Sequence, residues 1–315
     1  MNHQPRSPFI HPIIVLLLGI LAVSTGSIFV RYAQANAPSL VIAALRLSLA
    51  TIFLTPIALI RYPSQVRAIR GNQRGLAVIS GIFLSLHFAT WITSLEYTTV
   101  ASSVVLVSTA PLWVAALSPF FLKEPLTRPV LIGMGLSLIG GVVVGISDSC
   151  SLSRDGLGCP PLGEFMRGGA FLGDLLALAG AWMAAGYLLI GRRLRLNISL
   201  VPYIFVVYGM AALVLLCVMA LFGQSPFGLP AETYLWFILL ALVPQLLGHS
   251  SFNWALGYLS AAFVSIALLG EPIGSTILAY FLLQETPTPL KIFGAILILA
   301  GIYIASQSEA RSRNG

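Results

Sequence analysis

A chain of 315 residues that is 57% hydrophobic and only 9% charged cannot cover a water-facing surface, since soluble domains carry about 25% charged residues. The formal net charge of +7 does not indicate nucleic-acid binding, because the Lys and Arg residues form no cluster interleaved with aromatic residues. These properties exclude a soluble domain and predict an integral membrane protein, with the lipid bilayer as a partner and no nucleic acid.

Ten runs of mainly apolar residues follow one another along the chain, and each approaches the length of about 20 residues that a membrane-spanning helix needs. Spanning by helices is required because unpaired backbone N–H and C=O groups find no partners in lipid. We therefore predict an all-α membrane protein with ten transmembrane helices. The predicted spans are residues 12–31, 38–60, 75–94, 99–121, 129–146, 170–190, 200–221, 233–249, 258–282 and 290–306.

The distribution of Lys and Arg predicts the orientation of these spans. If the N-terminus lies inside, 12 of the 17 basic residues fall in inside segments and four in outside loops, with Arg46 left within the second span. This bias predicts a multi-pass protein of the plasma (inner) membrane with both termini in the cytoplasm.

The segment 95–143 is repeated at 256–304 without a gap, at a shift of 161 residues. The matching residues occur at loops, helix interruptions and glycine packing positions, where chance apolar similarity would not align them. The equivalent pairs are Tyr97 and Tyr258, Pro111 and Pro272, Glu124 and Glu285, Thr127 and Thr288, Gly133 and Gly294, and Gly140 and Gly301.

The duplication divides the chain into a first repeat of helices one to five at 12–146, an extracytoplasmic linker at 147–169 and a second repeat of helices six to ten at 170–306. Because each repeat has an odd number of spans, the two copies are predicted to insert in opposite orientations, an arrangement typical of transporters. Cys150 and Cys159 in the linker form a disulfide in an oxidising compartment or remain two free thiols.

Two charged residues fall deep within predicted spans, where charge is costly and typically functional. Glu271 lies near the middle of the ninth span beside Pro272, and it either binds a proton or cation or is a structural carboxyl bonded to a neighbouring helix. Arg46 lies roughly 12 Å into the second span at the helical rise. It either clamps a substrate carboxylate, pairs with Glu271, or contacts backbone carbonyls.

Histidine and aromatic residues recur at helical spacing in the third and eighth spans. His87 and Trp91 are four residues apart and share a helix face, and His249 and Asn253 repeat that spacing one position out of the repeat register. We predict that both faces line a central cavity, with packing histidines as the alternative.

Other polar residues are further candidates. Ser24 and Ser27 in the first span, and Trp182 and Tyr187 in the corresponding sixth span, are also predicted to line the cavity. Tyr208 and Gln245 are weaker candidates. Glu124 and Glu285 lie in short turns, where they are expected to pin loops or, alternatively, to act in gating.

The chain resembles ten-helix members of the drug/metabolite transporter superfamily with two EamA-type repeats, over residues 12–306. The resemblance rests on AALRL around Arg46, SLEYTTVASSVVL at 94–106, the segment 248–285, and the turns LKEPLT at 122–127 and LQETPT at 283–288. These turns are similar to the family's Gly-Glu-x-x-Thr turn, but Lys123 and Gln284 replace the glycine.

The resemblance implies a secondary transporter that exports small metabolites, often amino acids or related amphipathic compounds, through a cavity between two four-helix sets, with helices five and ten peripheral. An importer of the same class and a membrane-embedded lipid-handling or scaffold protein are the alternatives. No GxSxG, P-loop or HExxH motif is found in the sequence, so we predict no enzyme, no metal site and no cofactor. A small-molecule substrate is the expected partner of a monomer or homodimer.

Overall fold

The computed structural model describes residues 10–123, 128–147, 151–153, 156–158, 161, 163, 168–268 and 270–312. Glu124, Cys150 and Cys159, which entered the predictions above, lie outside these residues.

Helices account for most of the described chain, and they follow the predicted spans. In chain order they are α1 Pro12–Ser24, α2 Gly26–Gln34, α3 Ser39–Arg61, α4 Pro63–Ala68, α5 Gly71–Tyr97, α6 Val100–Val107, α7 Ala110–Phe121, α8 Arg128–Ser147, α9 Gly169–Arg195, α10 Leu200–Leu221, α11 Ala231–Leu240, a π-helix Ala241–His249, α12 Ser250–Ala255, α13 Ala261–Ala267, α14 Gly270–Leu283 and α15 Pro289–Ser312. In the predicted linker, strands β1 Ser151–Ser153 and β2 Gly156–Gly158 pair antiparallel.

Described helices lie within each of the predicted spans, but they differ in length and continuity. Seven helical stretches of the described chain are long and apolar enough to cross a membrane: 12–34, 39–61, 71–97, 100–121, 169–195, 200–221 and 231–255. The fifth and tenth predicted spans contain shorter apolar helices, at Leu131–Val144 and Pro289–Gly301. The ninth is divided between α13 and α14.

Helix interruptions recur at equivalent places in the two repeats. In the fourth predicted span, α6 ends at Val107 and α7 begins at Ala110, with Pro111 in its first turn. In the ninth, α14 begins at Gly270, with Pro272 in its first turn. Proline lacks an N–H and is tolerated in a first helical turn, so these prolines start new helices at the interruptions.

Helices α8 and α15 pack closely through glycines. A Cβ on Gly140 would lie 2.6 Å from the Gly294 carbonyl oxygen, and one on Gly301 would lie 2.5 Å from that of Gly133. Between these contacts, Ser137 Oγ donates to the Ile298 carbonyl at 3.2 Å. Residue numbers rise along α8 as their partners' numbers fall along α15, so these equivalent helices run antiparallel.

The internal symmetry extends to the packing of other helices. A Cβ on Gly180 would lie 3.2 Å from Thr90 Oγ1 and 3.4 Å from Trp91 Cβ. A Cβ on Gly19 would lie 2.9 Å from Ser251 Cβ and 3.0 Å from Phe252 Cε1. Each residue of the second contact lies 161 positions from its equivalent in the first. The two repeats therefore share tertiary contacts as well as sequence.

The two residues that replace the glycine of the related motif, Lys123 and Gln284, adopt a left-handed backbone. Lys123 has a φ of 60° and Gln284 a φ of 56°, and both are non-glycine residues. Left-handed backbone costs about 1–2 kcal/mol for L-residues other than glycine. Lys123 and Gln284 therefore each adopt a backbone conformation that their side chains do not favour.

Gly140→Ala is predicted to lower the free energy of unfolding by about 1–3 kcal/mol, because the new methyl group meets the Gly294 carbonyl. Gly135→Ala in the same helix is the matched control, since nothing lies within 4 Å of its added Cβ. Thermal unfolding in detergent compares the two variants. Equal midpoints would contradict close backbone packing of α8 against α15.

Candidate functional site

A cavity lies between the two repeats, and it has two adjoining chambers of about 60 Å³ and about 30 Å³. Four residues line both chambers: His87, Val107, His249 and Glu271. The larger chamber also has two pairs of repeat-equivalent residues in its wall, Val107 with Leu268 and Ala110 with Glu271. The central cavity, as we call the two chambers together, therefore lies on the local symmetry axis.

Arg46 supplies a buried cation to the smaller chamber. The side chain is 1% exposed, its Nε donates to Gln245 Oε1 at 2.9 Å, and its guanidinium carbon lies 4.1 Å from the centre of the Phe88 ring. Its Nη1 has no hydrogen-bond partner in the protein, and the same is true of the buried Trp91 Nε1. Two donors at this chamber thus remain available to an acceptor.

Glu271 supplies a carboxyl group to both chambers. It lies in the first turn of α14, where the positive end of the helix dipole favours a negative charge. Arg46 and Glu271 both belong to the described residues, and no ion pair within 4.0 Å joins them. The ion pair considered from the sequence is therefore not formed: the two opposite charges line one chamber separately.

His87 and His249 face each other across the cavity, with ring centres 6.4 Å apart. His87 Nδ1 lies 2.9 Å from the Gly180 carbonyl oxygen, and its ring stacks parallel to Trp91 at 6.1 Å. The position equivalent to His87 is Gly248, whose added Cβ would lie 3.4 Å from the Gly19 carbonyl oxygen. The two histidines are therefore not symmetry equivalents, which explains the register difference seen in the sequence.

A hydrogen-bonded cluster lies beside the larger chamber, which Tyr187 lines. Asn253 Nδ2 is bonded to the Tyr187 hydroxyl and lies 3.3 Å from the Tyr208 hydroxyl and 2.8 Å from the His249 carbonyl oxygen. Tyr208 in turn contacts Ser250 Oγ at 3.3 Å. The cluster fixes Tyr187 in the chamber wall, whereas Asn253 lies behind that wall.

Trp182 departs from its prediction as a cavity residue. Its side chain is 49% exposed, and its ring packs edge-on against Trp113, with ring centres 5.3 Å apart. The chambers are lined without it. The physical reason is that Trp182 and Tyr187 are five residues apart, about 500° around an α-helix, and so lie on different faces of α9.

Residues that sequence reasoning ranked low or missed hold important places in the site. Gln245 is the hydrogen-bond acceptor for Arg46, Phe88 stacks on the guanidinium, and Phe252 lines the larger chamber. Ser24 instead packs against span nine, where its backbone oxygen accepts from Ser275. Phe88 directly follows His87 and precedes Trp91 by three residues, and this position could have indicated that it lies at the site. Apolar aromatic residues are too common in the other spans for that position to stand out.

A π-helix, Ala241–His249, contains both Gln245, which bonds to Arg46, and His249, which lines the cavity. It contains Pro244, which cannot donate a backbone hydrogen bond. π-helical turns are rare in proteins, and those that occur are often found at functional sites. No group of three or more His, Cys, Asp or Glu residues in the described chain is placed to hold a metal ion.

Comparison with known proteins identifies the architecture. The sequence model of the EamA-like transporter family matches twice, at residues 11–146 and 171–307. The chain belongs to this family. The two matches coincide with the two repeats, and together with the apolar helices they establish a multi-pass membrane protein.

Relatives of similar length carry only general names. An uncharacterized transporter of Archaeoglobus fulgidus is 25% identical over 92% of this chain and 94% of its own length. The uncharacterized transporter YyaM of Bacillus subtilis is 24% identical over 93% of each chain. One solved crystal structure has a TM-score of 0.65 at 19% identity, covering 95% of this chain and 98% of that one, which shows a shared fold.

Gln245→Leu is predicted to lower the free energy of unfolding by about 1–3 kcal/mol, because the buried Arg46 guanidinium loses its acceptor. Gln245→Glu keeps an acceptor and should retain most of the stability. The double variant Arg46→Leu, Gln245→Leu should regain part of the loss, since an apolar pair leaves no buried charge unpaired. Chemical denaturation in detergent tests all three, and an unaltered Gln245→Leu protein would contradict the assigned bond.

Proposed function

We propose that this chain is a secondary transporter of small metabolites that works by alternating access. The proposed activity is the export of amino acids or related amphipathic compounds. The observation that carries this proposal is the central cavity itself. It lies between the two repeats, with Arg46 from the first and Glu271 from the second in one chamber wall without pairing to each other. A structural ion pair would bring the two charges together, whereas a binding site keeps them apart for a ligand.

The chemistry of the wall favours a substrate that carries both charges and an apolar part. Arg46 Nη1 and Trp91 Nε1 are donors without acceptors in the protein, and they suit a carboxylate. Glu271 suits an ammonium group or a proton. The rings of Trp91, His87 and Phe252 offer apolar surface to a side chain. An amino acid meets all three requirements.

The proposed mechanism uses two inverted five-helix repeats, which together make ten transmembrane helices. The antiparallel packing of the equivalent helices α8 and α15 supports opposite insertion of the copies. The site between the repeats would open to each side in turn as the halves exchange conformations. Helices α8 and α15 pack against each other, and none of their described side chains lines the chamber walls, as expected of peripheral helices.

The basic residues of the short loops favour an orientation with both termini in the cytoplasm. We propose that the protein lies in the plasma membrane and acts as a monomer or homodimer. In this orientation the first, third and ninth predicted spans all end at the outer face. The contacts agree, because the ends of these three spans meet at one face, where Arg31 contacts both Thr98 and Glu285. That face would be the outer one. A yeast relative, 27% identical over 76% of this chain, is described as a vacuolar membrane protein.

Transport by the purified chain in proteoliposomes tests the proposal. Labelled amino acids, presented singly with and without a proton gradient, should cross the bilayer faster than in protein-free vesicles. Efflux from preloaded cells against uptake into empty ones decides the direction, and net uptake would indicate an importer. Failure of all amino acids and amphipathic amines to cross above background would refute the proposed substrate class.

Glu271→Gln and Arg46→Gln are each predicted to lower the initial transport rate by about tenfold or more, because each removes one charge that holds the substrate. Trp182→Phe is the matched control, since this aromatic lies outside the chambers and should transport as the unmodified chain does. Elution as a single species verifies folding. Normal transport by folded Glu271→Gln at every pH would remove the carboxyl group from the mechanism.

A further inference from the structure

An ion pair joins the two repeats at the face where Arg31 lies. Arg31 Nη2 lies 3.2 Å from Glu285 Oε1 and donates to the Thr98 carbonyl at 2.9 Å. The other carboxylate oxygen, Glu285 Oε2, accepts from the Val100 backbone N–H at 2.9 Å. Glu285 belongs to the second repeat and its two partners here, Arg31 and Val100, belong to the first, so this Arg31–Glu285 bridge holds the halves together.

The bridge is placed where helices from both halves lead to the central cavity. Val100 begins α6, and Val107 at the other end of that helix lines both chambers. Glu285 follows α14, and Glu271 in the first turn of that helix also lines both chambers. The bridge therefore fastens together the far ends of the two helices whose near ends form the chamber walls.

Below the bridge, a pocket of about 220 Å³ with almost entirely apolar walls lies between these two helices and α15. Ala101 and Val105 line it from α6, and Ile273 and Ile277 line it from α14. Residues of α6 and α14 also pack directly against each other, and the polar contacts of the bridge add to this attachment at their far ends.

Local geometry directs Glu285 onto its partners. The left-handed backbone of Gln284 reverses the chain directly after α14. The carboxylate then meets the first backbone N–H of α6, where the helix dipole favours a negative charge. The side chains of Arg31 and Glu285 are 27% and 21% exposed, so water can reach and replace these contacts when they open.

The arginine of the bridge has a counterpart at the opposite face. Arg192, the repeat equivalent of Arg31, donates from Nη1 to the Leu256 carbonyl at 2.9 Å, in the turn between the eighth and ninth predicted spans. Arg31 contacts the corresponding turn between the third and fourth. Each of these equivalent arginines therefore binds a backbone carbonyl in the corresponding turn of its own repeat, and the ion pair with Glu285 is added at the face of Arg31.

From this geometry we infer that the Arg31–Glu285 bridge is the gate that closes the central cavity toward one face, the outer face in the proposed topology, and that transport requires it to open. The inference rests on the proposed function, since a gate belongs to an alternating-access cycle. Loss of either charged group shifts the population toward the state that is open at this face.

A cysteine in the chamber wall reports the opening without any substrate. Val107→Cys is introduced into a chain whose Cys150, Cys159 and Cys217 are replaced by Ser, and a membrane-impermeant maleimide is added from one side at a time. Thr286→Cys, at an exposed position beside the bridge, identifies the side on which the bridge lies. Glu285→Gln and Arg31→Gln should each raise the rate of Val107→Cys labelling from that side by roughly tenfold.

Three further variants separate a gate from a static structural contact. Arg31→Lys retains the positive charge and should keep the slow rate, and Arg61→Gln removes an exposed arginine at the end of α3 and should also leave it unchanged. Arg192→Gln, at the opposite face, should not raise labelling from the side of the bridge. Because Glu285→Gln and Arg31→Gln break the same bridge from different halves, misfolding of one leaves the other as the test.

Folded neutral variants that label at the unmodified rate, or only from the opposite side, would overturn the gate. This outcome is distinct from failure of the proposed function. A chain that moves no amino acid, yet opens when the bridge is broken, would keep the gate and refute the substrate class. A transporting chain whose labelling ignores the bridge would do the reverse.

Discussion

The constraint that the rest of the structure depends on is the burial of Arg46 away from water within a membrane helix. Removing such an ion from water costs several kcal/mol even after the protein relaxes. Gln245 and the rings of Phe88 and Trp91 offset part of this cost, but no carboxylate among the described residues lies within ion-pairing distance. An apolar residue here would avoid this cost. The guanidinium instead keeps a donor, Nη1, that has no acceptor in the protein, and the proposed substrate site rests on this feature.

Duplication supplies the framework, and departures from symmetry supply the chemistry. Gly140 with Gly294 and Gly133 with Gly301 make closely related contacts, and Gly19 repeats the environment of Gly180. At the cavity the copies differ: Ala110 faces the carboxyl of its equivalent Glu271 across one chamber. In the proposed mechanism, equivalent backbones would allow the halves to exchange conformations, whereas different side chains give the shared cavity one charged lining. These two requirements act on different positions and can therefore be met together.

The composition and spacing of the sequence predicted much of this architecture. Helical regions follow from the need to pair backbone groups in lipid, and the described residues of the apolar runs are mostly helical, with seven stretches long enough to cross a membrane. The duplicated prolines predicted the interruptions of spans four and nine, because a ring without an N–H is accommodated best at the start of a helix. Arg46, His87, Trp91, Tyr187, His249 and Glu271 were expected at one cavity because charged and polar groups avoid lipid, and the structure places them there.

What the sequence by itself determined is the class of protein, the run of helices and the duplication, since these depend on local hydrophobicity and on residue identity at fixed spacing. Only the tertiary structure decided which faces meet. It placed Trp182 outside the cavity and showed that Arg46 forms a hydrogen bond with Gln245 and no ion pair with Glu271. It also showed the ion pair between Arg31 and Glu285. Such contacts link residues as many as 254 positions apart, and they depend on helix rotation and on the wide turns of the π-helix. Neither property is encoded in any short stretch of the chain.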